Sequence, residues 1–247
     1  MPRFFVDKDE INTNLGETKI IVKGEDAHHI SRSLRMAVGE KIEICDKCGT
    51  VYSCVLSSFT DKEVVATAES SYQVDTESKV KVTLYQALPK SDKMETIIQK
   101  SVECGVYKIV PFRSEFCVVK LDSRDGEKKR ERWQKIAEGA SKQSGRGIIP
   151  EVALPLDFKI AIEDAIKNDL VIFCNEREKE SNLKNILKGT GAKSIAVIIG
   201  AEGGFSEKEA MYILGKGAKS VTLGKRILRC ETAPTFVLGI ISYELEM

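Results

Sequence analysis

Apolar and polar positions follow two different rhythms along this chain. Up to residue 72 the apolar residues come in short runs, at 19–22, 41–45, 51–56 and 64–70, parted by turn residues. Runs of that length and spacing predict a small β-rich domain. One or two helical turns near 28–36 interrupt it and carry Arg32 and Arg35. The stretch 73–78 is polar and strand-poor and reads as a linker. From 79 to 247 strand-like runs, at 80–87, 108–112, 170–174, 194–199 and 220–223, alternate with helical periodicity. That alternation predicts an α/β domain with a mostly parallel sheet and helices on both faces.

Local signals place several helix ends. Ser91 is positioned to cap a helix whose Met94, Ile97, Ile98 and Val102 share one face, with Gly105 just past its end. Ser206 and Glu209 form an S-x-x-E capping box. Pro234 suits the first turn of a closing apolar helix expected over 235–245. The mixed-sign run 127–135 reads as a solvated helix face around Trp133.

Composition narrows the picture only a little. A chain of 247 residues that is 42% hydrophobic and 30% charged can bury a full core. With Lys+Arg 38 against Asp+Glu 37, a nucleic-acid surface has to come from local clustering. MPRFFVDKDE lacks the apolar core of a signal peptide, and no run approaches the roughly 18 apolar residues of a membrane span. A cytoplasmic protein without membrane partners is expected. Seven cysteines scattered through apparent strands fit reduced thiols, and Cys45-x-x-Cys48 has no second pair at ligand spacing, so no metal is expected. His28 and His29 suit a helix surface that could meet RNA.

Two loops carry the candidate chemistry. Ile198-Ile199-Gly200-Ala201-Glu202-Gly203-Gly204-Phe205-Ser206 runs from a strand through glycines into a capped helix. Leu223-Gly224-Lys225-Arg226-Ile227-Leu228-Arg229-Cys230-Glu231-Thr232-Ala233-Pro234 runs from a strand through alternating charges and apolar residues into the last helix. Neither loop has the G-x-G-x-x-G or G-x-x-x-x-G-K-[ST] spacing, which removes support for nicotinamide and P-loop nucleotides. A pair of loops at strand ends, one rich in glycine and one with an apolar wall, predicts a ligand cleft.

The strings IGAEGGFSEKE and LGKRILRCETAP strongly resemble the bacterial SPOUT-class methyltransferases that make 3-methyluridine in small-subunit ribosomal RNA. MPRFFV, His28-His29-Ile30 through Arg35-Met36, KSDKMETIIQKSVECGV, and Trp133-Gln134-Lys135-Ile136 through Gln143-Ser144-Gly145-Arg146 extend the resemblance over nearly the whole chain, in family order. Two positions depart from it: the family usually has proline at Ala201 and threonine at Cys230, both taken to contribute mainly backbone.

The resemblance implies a PUA-like β-barrel that helps hold RNA, followed by an α/β domain tied in a deep trefoil knot. Pattern alone gives an unknotted sheet, because knots are nearly absent among folds. It also implies a homodimer acting on 16S ribosomal RNA of the small subunit, with S-adenosylmethionine as cofactor. Carried over residue by residue, the cofactor pocket takes Ile199, Gly200, Glu202 and Gly203 from the first loop, and Leu223, Gly224, Ile227, Leu228, Thr232 and Ala233 from the second. Arg229 and Glu231 are the catalytic candidates: a guanidinium can stabilise charge on the uracil oxygens as the N3 proton leaves, and a carboxylate can take or relay that proton or orient Arg229. Arg3, Arg35, Lys90, Lys93, Gln143, Arg146 and Arg226 are the expected RNA contacts, the last five bordering the catalytic cleft. The alternatives are a related enzyme acting on transfer RNA or on a ribose 2'-hydroxyl, and a non-catalytic ribosome-assembly protein.

Overall fold

The computed structural model describes residues 1–14, 16–60, 62–119 and 123–247. They form two compact units, Met1–Glu77 with Ser141–Ile149, and Ser78–Ala140 with Pro150–Met247.

In the first unit, strands β1 (Arg3–Phe5), β2 (Ile11–Asn14), β3 (Glu17–Lys23), β4 (Lys41–Cys45), β5 (Thr50–Phe59) and β6 (Glu63–Gln73) form one sheet in the order β1-β4-β5-β6-β3-β2. Only the β1–β4 ladder is parallel. Period-two patterning turns Ile20 and Val22, Ile42 and Ile44, Cys54 and Leu56, and Val64 and Ala66 onto one buried core. Helix α1 (Gly24–His28) runs into a π-helical turn (His29–Ser33), and Ala27 and Ile30 complete that core. Register shifts between Ser53 and Cys54 and between Leu56 and Ser58 mark irregularities that bend the long β5–β6 pair. The β-rich domain is a six-stranded sheet whose ladder, among the described residues, runs from β1 to β2 without closing, where a barrel was expected.

The second unit is built on a seven-stranded sheet of β7 (Lys81–Ala87), β8 (Lys108–Arg113), β9 (Glu151–Val152), β10 (Leu156–Asp157), β11 (Leu170–Cys174), β12 (Ser194–Ile199) and β13 (Lys219–Val221). Its order is β10-β8-β7-β12-β11-β13, with β9 also on β8, and every ladder is parallel. β11 and β12 read as near-continuous apolar runs, and β7 is buried from Val82 to Ala87, because helices cover both faces of such a sheet. The helices are α2 (Lys93–Glu103), α3 (Ser123–Ser144), α4 (Phe158–Ala165), α5 (Leu183–Leu187), α6 (Glu207–Gly215) and α7 (Thr232–Leu245). In α3 the 127–135 run is largely exposed, while Trp133, Ala137 and Ala140 are buried.

Three boundaries depart from the sequence reading. Helix α2 starts after Asp92, and Ser91 takes a left-handed φ of 56° in the loop before it. Helix α7 starts three residues early, at Thr232, since the Arg229 carbonyl accepts N–H bonds from both Thr232 and Ala233. The third difference is the return of 141–149 to the first unit, which a division at 79 leaves in the second. There the Gly147 N–H donates to Glu77 Oε1 at 2.9 Å, and its carbonyl accepts the Gly49 N–H at 3.1 Å. A Cβ at 147 would lie 2.8 Å from Gly49 Cα, so only glycine allows this approach.

The Arg146 side chain is 4% exposed, and its Nε donates to Glu77 Oε2 at 3.2 Å. The Glu77→Ala variant removes the acceptor for this buried guanidinium and for the Gly147 N–H. It is expected to lower stability by about 3 kcal/mol in urea unfolding. A loss under about 0.5 kcal/mol would mean that the pair does not hold 141–149 in place.

Candidate active site

A parallel sheet ends its strands at a common edge, and the chain leaves β11, β12 and β13 there through three loops. After β12 the chain turns tightly: the Gly204 N–H returns to the Ala201 carbonyl at 3.0 Å, and Gly204 has φ of 64°. Phe205 anchors that turn in the core, edge-on to Phe173 with ring centroids at 5.2 Å and stacked on Phe112 at 6.2 Å. Ser206 and Glu209 then cap α6 reciprocally, as their spacing predicts, and Glu209 also accepts the Glu115 N–H at 2.8 Å.

After β13, Thr222 Oγ1 accepts the Gly224 N–H at 3.2 Å, and Gly224 takes φ of 110°. The chain then runs through Lys225, Arg226, Ile227 and Leu228 to Arg229, whose carbonyl starts α7.

The loop after β11 is the one the sequence reading missed. The Asn175 N–H donates to the Val221 carbonyl at 3.0 Å, which ties this loop to β13. Glu178 Oε1 accepts the N–H groups of Glu180 and Lys179 at 3.0 Å and of Ser181 at 3.2 Å. These bonds, led by the one from Glu180, hold the Glu178 carboxyl below its ordinary value.

The three loops and Lys93 enclose a cavity of about 740 Å³. Its wall takes in Ile199, Gly200, Ala201, Glu202 and Gly204 from the loop after β12, and every residue from Thr222 to Cys230 from the loop after β13. Asn175, Glu176, Arg177, Glu178 and Lys179 face it as well. Most of the expected pocket residues thus share one cavity: Ile199, Gly200, Glu202, Leu223, Gly224, Ile227, Leu228 and Ala233. Gly203, Thr232 and Glu231 are not on the wall. A Cβ at Gly203 would lie 2.8 Å from Phe116 Cβ, so this glycine serves packing behind the loop. Gly200 serves the wall, where a Cβ would lie 3.1 Å from the Phe205 ring and 3.2 Å from Gly204 Cα.

Charge is organised around Lys93. Its Nζ donates to Glu202 Oε1 at 2.8 Å and lies 3.5 Å from Glu231 Oε2. The Cys230 thiol donates to Glu231 Oε2 at 3.2 Å. Burial raises the Glu231 carboxyl, but the Cys230 thiol, its own N–H and the Lys93 ammonium outweigh it and hold the group below its ordinary value. Glu202 is held low in the same way, against burial, chiefly by Lys93. Burial, with the bond to Glu231, pushes the Cys230 thiol up to about 12. Cys230 thus acts through its side chain as a neutral donor, where a contribution mainly from backbone was expected. Ala201 does work through backbone, pairing with Gly204.

Among the described residues, Glu231 pairs with Lys93 and Cys230 and not with Arg229, so it does not orient that guanidinium. Arg229 is exposed on the cavity wall. Of the expected RNA contacts, Arg226 and Lys93 line the cavity, and the exposed Lys90 adjoins it by giving its N–H to Glu202 at 3.2 Å. Arg35 and Gln143 are exposed on the first unit, so Gln143 does not belong to the unit that carries the cavity. Arg3 and Arg146, also in the first unit, are turned inward: Arg3 is 11% exposed, pairing with Glu43 at 2.9 Å and donating to the Gly145 carbonyl at 2.6 Å. Their guanidiniums are spent on internal carboxylates, which corrects their reading as RNA contacts. Among the described residues no cluster of three potential metal ligands occurs, and no helix is long and apolar enough to cross a membrane.

Comparison with known proteins agrees with this architecture. A family profile described as an RNA methyltransferase domain matches residues 76–242, and one described as an RNA methyltransferase PUA domain matches residues 22–69. Ribosomal RNA small subunit methyltransferase E of Bacillus subtilis (strain 168) is 33% identical over 255 residues, covering 100% of this chain and 98% of the relative. The crystal structure of a ribosomal RNA small subunit methyltransferase E from Neisseria gonorrhoeae, bound to S-adenosyl methionine, superposes with a TM-score of 0.86 at 31% identity, over 98% of this chain and 97% of that one. A putative methyltransferase from Legionella pneumophila in complex with the same cofactor gives 0.87 at 29% identity, over 98% of this chain and 96% of that one. With both profiles matched in order and a relative at one-third identity over its whole length, the chain belongs to the ribosomal RNA small subunit methyltransferase E family.

Proposed function

We propose that this protein transfers a methyl group from S-adenosylmethionine to N3 of a uridine in 16S ribosomal RNA of the small subunit. The observation that carries the reading is the cavity at the sheet edge, whose lining joins apolar residues to arginines, Arg229 among them. Its volume suits a cofactor of nucleoside size. Ile199, Leu223, Ile227, Leu228 and Ala233 offer surface to a planar base, and Gly200 keeps the wall free of a side chain. Glu202 and Glu178 supply carboxylates for a cationic end. Bound there, S-adenosylmethionine supplies an electrophilic methyl group on a sulfonium.

The protein's own task is the uracil. Loss of the N3 proton spreads negative charge over the two ring oxygens, and Arg229 stands where it can meet that charge. Glu231 is ionised and low in basicity, a poor match to a proton held as tightly as an imide's. It serves by electrostatics, setting Lys93 and Cys230, and the proton leaves to solvent. Arg35, Lys90, Gln143 and Arg226 are the exposed groups left to meet RNA. The same proposal includes a PUA-like first domain that holds the RNA, a trefoil knot in the second, a homodimer and a cytoplasmic site of action. Support for the dimer comes from α7, apolar on nearly all sides, with Phe236 40% and Tyr243 69% exposed.

Mass spectrometry of nucleosides from small subunits treated with the protein and S-adenosylmethionine tests the reaction. 3-Methyluridine is expected, whereas a ribose-methylated nucleoside or no product would overturn the reading. Gly200→Val is expected to weaken S-adenosylhomocysteine binding at least tenfold in calorimetric titration, since the added carbons meet Phe205 and Gly204; unchanged affinity would move the cofactor elsewhere.

Arg229→Ala is expected to keep cofactor affinity and lose roughly a hundredfold to a thousandfold in single-turnover transfer, with Arg229→Lys recovering part. A near-normal rate would remove Arg229 from catalysis. For pH, a carboxyl held below 4.5 stays ionised at every pH above that value, so Glu231 titrates nowhere between about pH 5 and 8. The transfer rate should therefore rise smoothly through that range. An acid limb near pH 6 that disappears in Glu231→Gln would make Glu231 the proton acceptor after all.

A further inference from the structure

The loops after β12 and before α7 are separated by α6 and β13, and few polar bonds join them directly. Both are tied to a third segment, the end of β7 and the start of α2. Buried Gln86 donates Nε2–H to the Gly200 carbonyl at 3.2 Å. Four residues on, the Lys90 N–H reaches the Glu202 carboxylate at 3.2 and 3.3 Å. The intervening turn is strained, with Ser91 at φ of 56°, a conformation uncommon for a residue with a Cβ. That turn delivers Lys93, the first residue of α2, between two carboxylates: Glu202 at 2.8 Å on one loop and Glu231 at 3.5 Å on the other.

All three side chains are about one-quarter exposed, 30% for Lys93, 28% for Glu202 and 23% for Glu231, so the ammonium is only partly open to solvent. Two carboxylates set side by side would repel, and one cation between them turns that repulsion into a link. Lys93 is thereby occupied on the protein side, which does not suit a free phosphate contact.

We propose that Lys93 is a positioning residue for methyl transfer, an ammonium that locks the loop carrying Gly200 and Glu202 to the loop carrying Arg229 and Glu231. The proposal rests on the methyltransferase reading for its effect on rate, but the lock itself is a property of the protein alone. It acts through Glu202 and Glu231 and needs no contact with the transferred group. Its consequence is that the part of the cofactor wall carried by Gly200 and Glu202 and the Arg229 guanidinium, which belong to different loops, keep one spacing.

Hydrogen exchange on the full-length protein without ligand tests the lock. In Lys93→Met the amides of both 200–206 and 223–231 should exchange about tenfold faster, while those of 41–73 in the other unit stay as they are. Lys93→Arg, which can still span two carboxylates, should restore both loops. Should Lys93→Met fail to fold, Glu231→Gln carries the same measurement, because loosening one loop must then be felt at 200–206. A response in one loop only, or in neither, overturns the proposal.

Titration of the Lys93→Met variant with S-adenosylhomocysteine and with ribosomal RNA over a salt series separates the remaining roles. Cofactor affinity should fall about tenfold and return in Lys93→Arg, with the salt slope of RNA binding unchanged. A slope reduced by about one, with unaltered loop exchange, would make Lys93 a phosphate contact and sink the lock. If wild type binds no S-adenosylhomocysteine while both loops still respond, the methyltransferase reading fails and the lock stands. If wild type binds it and the loops do not respond, the lock fails and that reading stands.

Discussion

A wholly parallel sheet places the carboxyl ends of its strands at the same edge, with unpaired backbone carbonyls and N–H groups concentrated there. The second unit depends on how that edge is finished. Side by side, β12, β11 and β13 end in loops whose polar groups have to be satisfied without covering the edge. The Ala201–Gly204 turn, the Thr222–Gly224 turn and the Glu178 carboxylate each do this with bonds inside or next to their own loop. The space between the loops therefore stays open, and the cavity is what remains once the edge has been satisfied locally.

The core reaches into this arrangement at one point. Phe205 belongs to the glycine loop by sequence and to the aromatic cluster of Phe112, Phe158 and Phe173 by packing. A loop with a buried aromatic at its end cannot drift, and this explains how a segment with three glycines keeps a defined wall. Gly200 is required because the Phe205 ring and the Gly204 backbone come so close to it, Gly204 because of its left-handed φ and the Glu176 carboxylate beside it, whereas Gly203 answers to Phe116.

What could be read from the sequence was what neighbours in the chain decide. The Ser206–Glu209 box, the strand limits 41–45, 170–174 and 194–199, and the two loops at strand ends all follow from spacing within a few residues. The early start of α7 was hidden because it turns on a carbonyl, Arg229, that no pattern marks. Arg146 looked like a free cation since its partner Glu77 lies 69 residues away, and Lys93 likewise, with Glu202 109 residues off. The Asn175–Lys179 loop was overlooked because its place beside β13 comes from the strand order β12-β11-β13, which sequence order does not reveal. Recognition of the family supplied most of the wall, but it could not show that Cys230 donates its thiol proton to Glu231.

The thiols have a practical consequence. Burial pushes Cys54, Cys174 and Cys230 up to about 12, and it raises Cys45 and Cys104 as well, which keeps these sulfurs in the unreactive protonated form at neutral pH. Cys48 is the exposed cysteine, on the turn between β4 and β5. Alkylating reagents thus have a preferred handle on the first unit, at a residue that is not among those lining the cavity. A fluorophore attached at Cys48 would report on events in that unit.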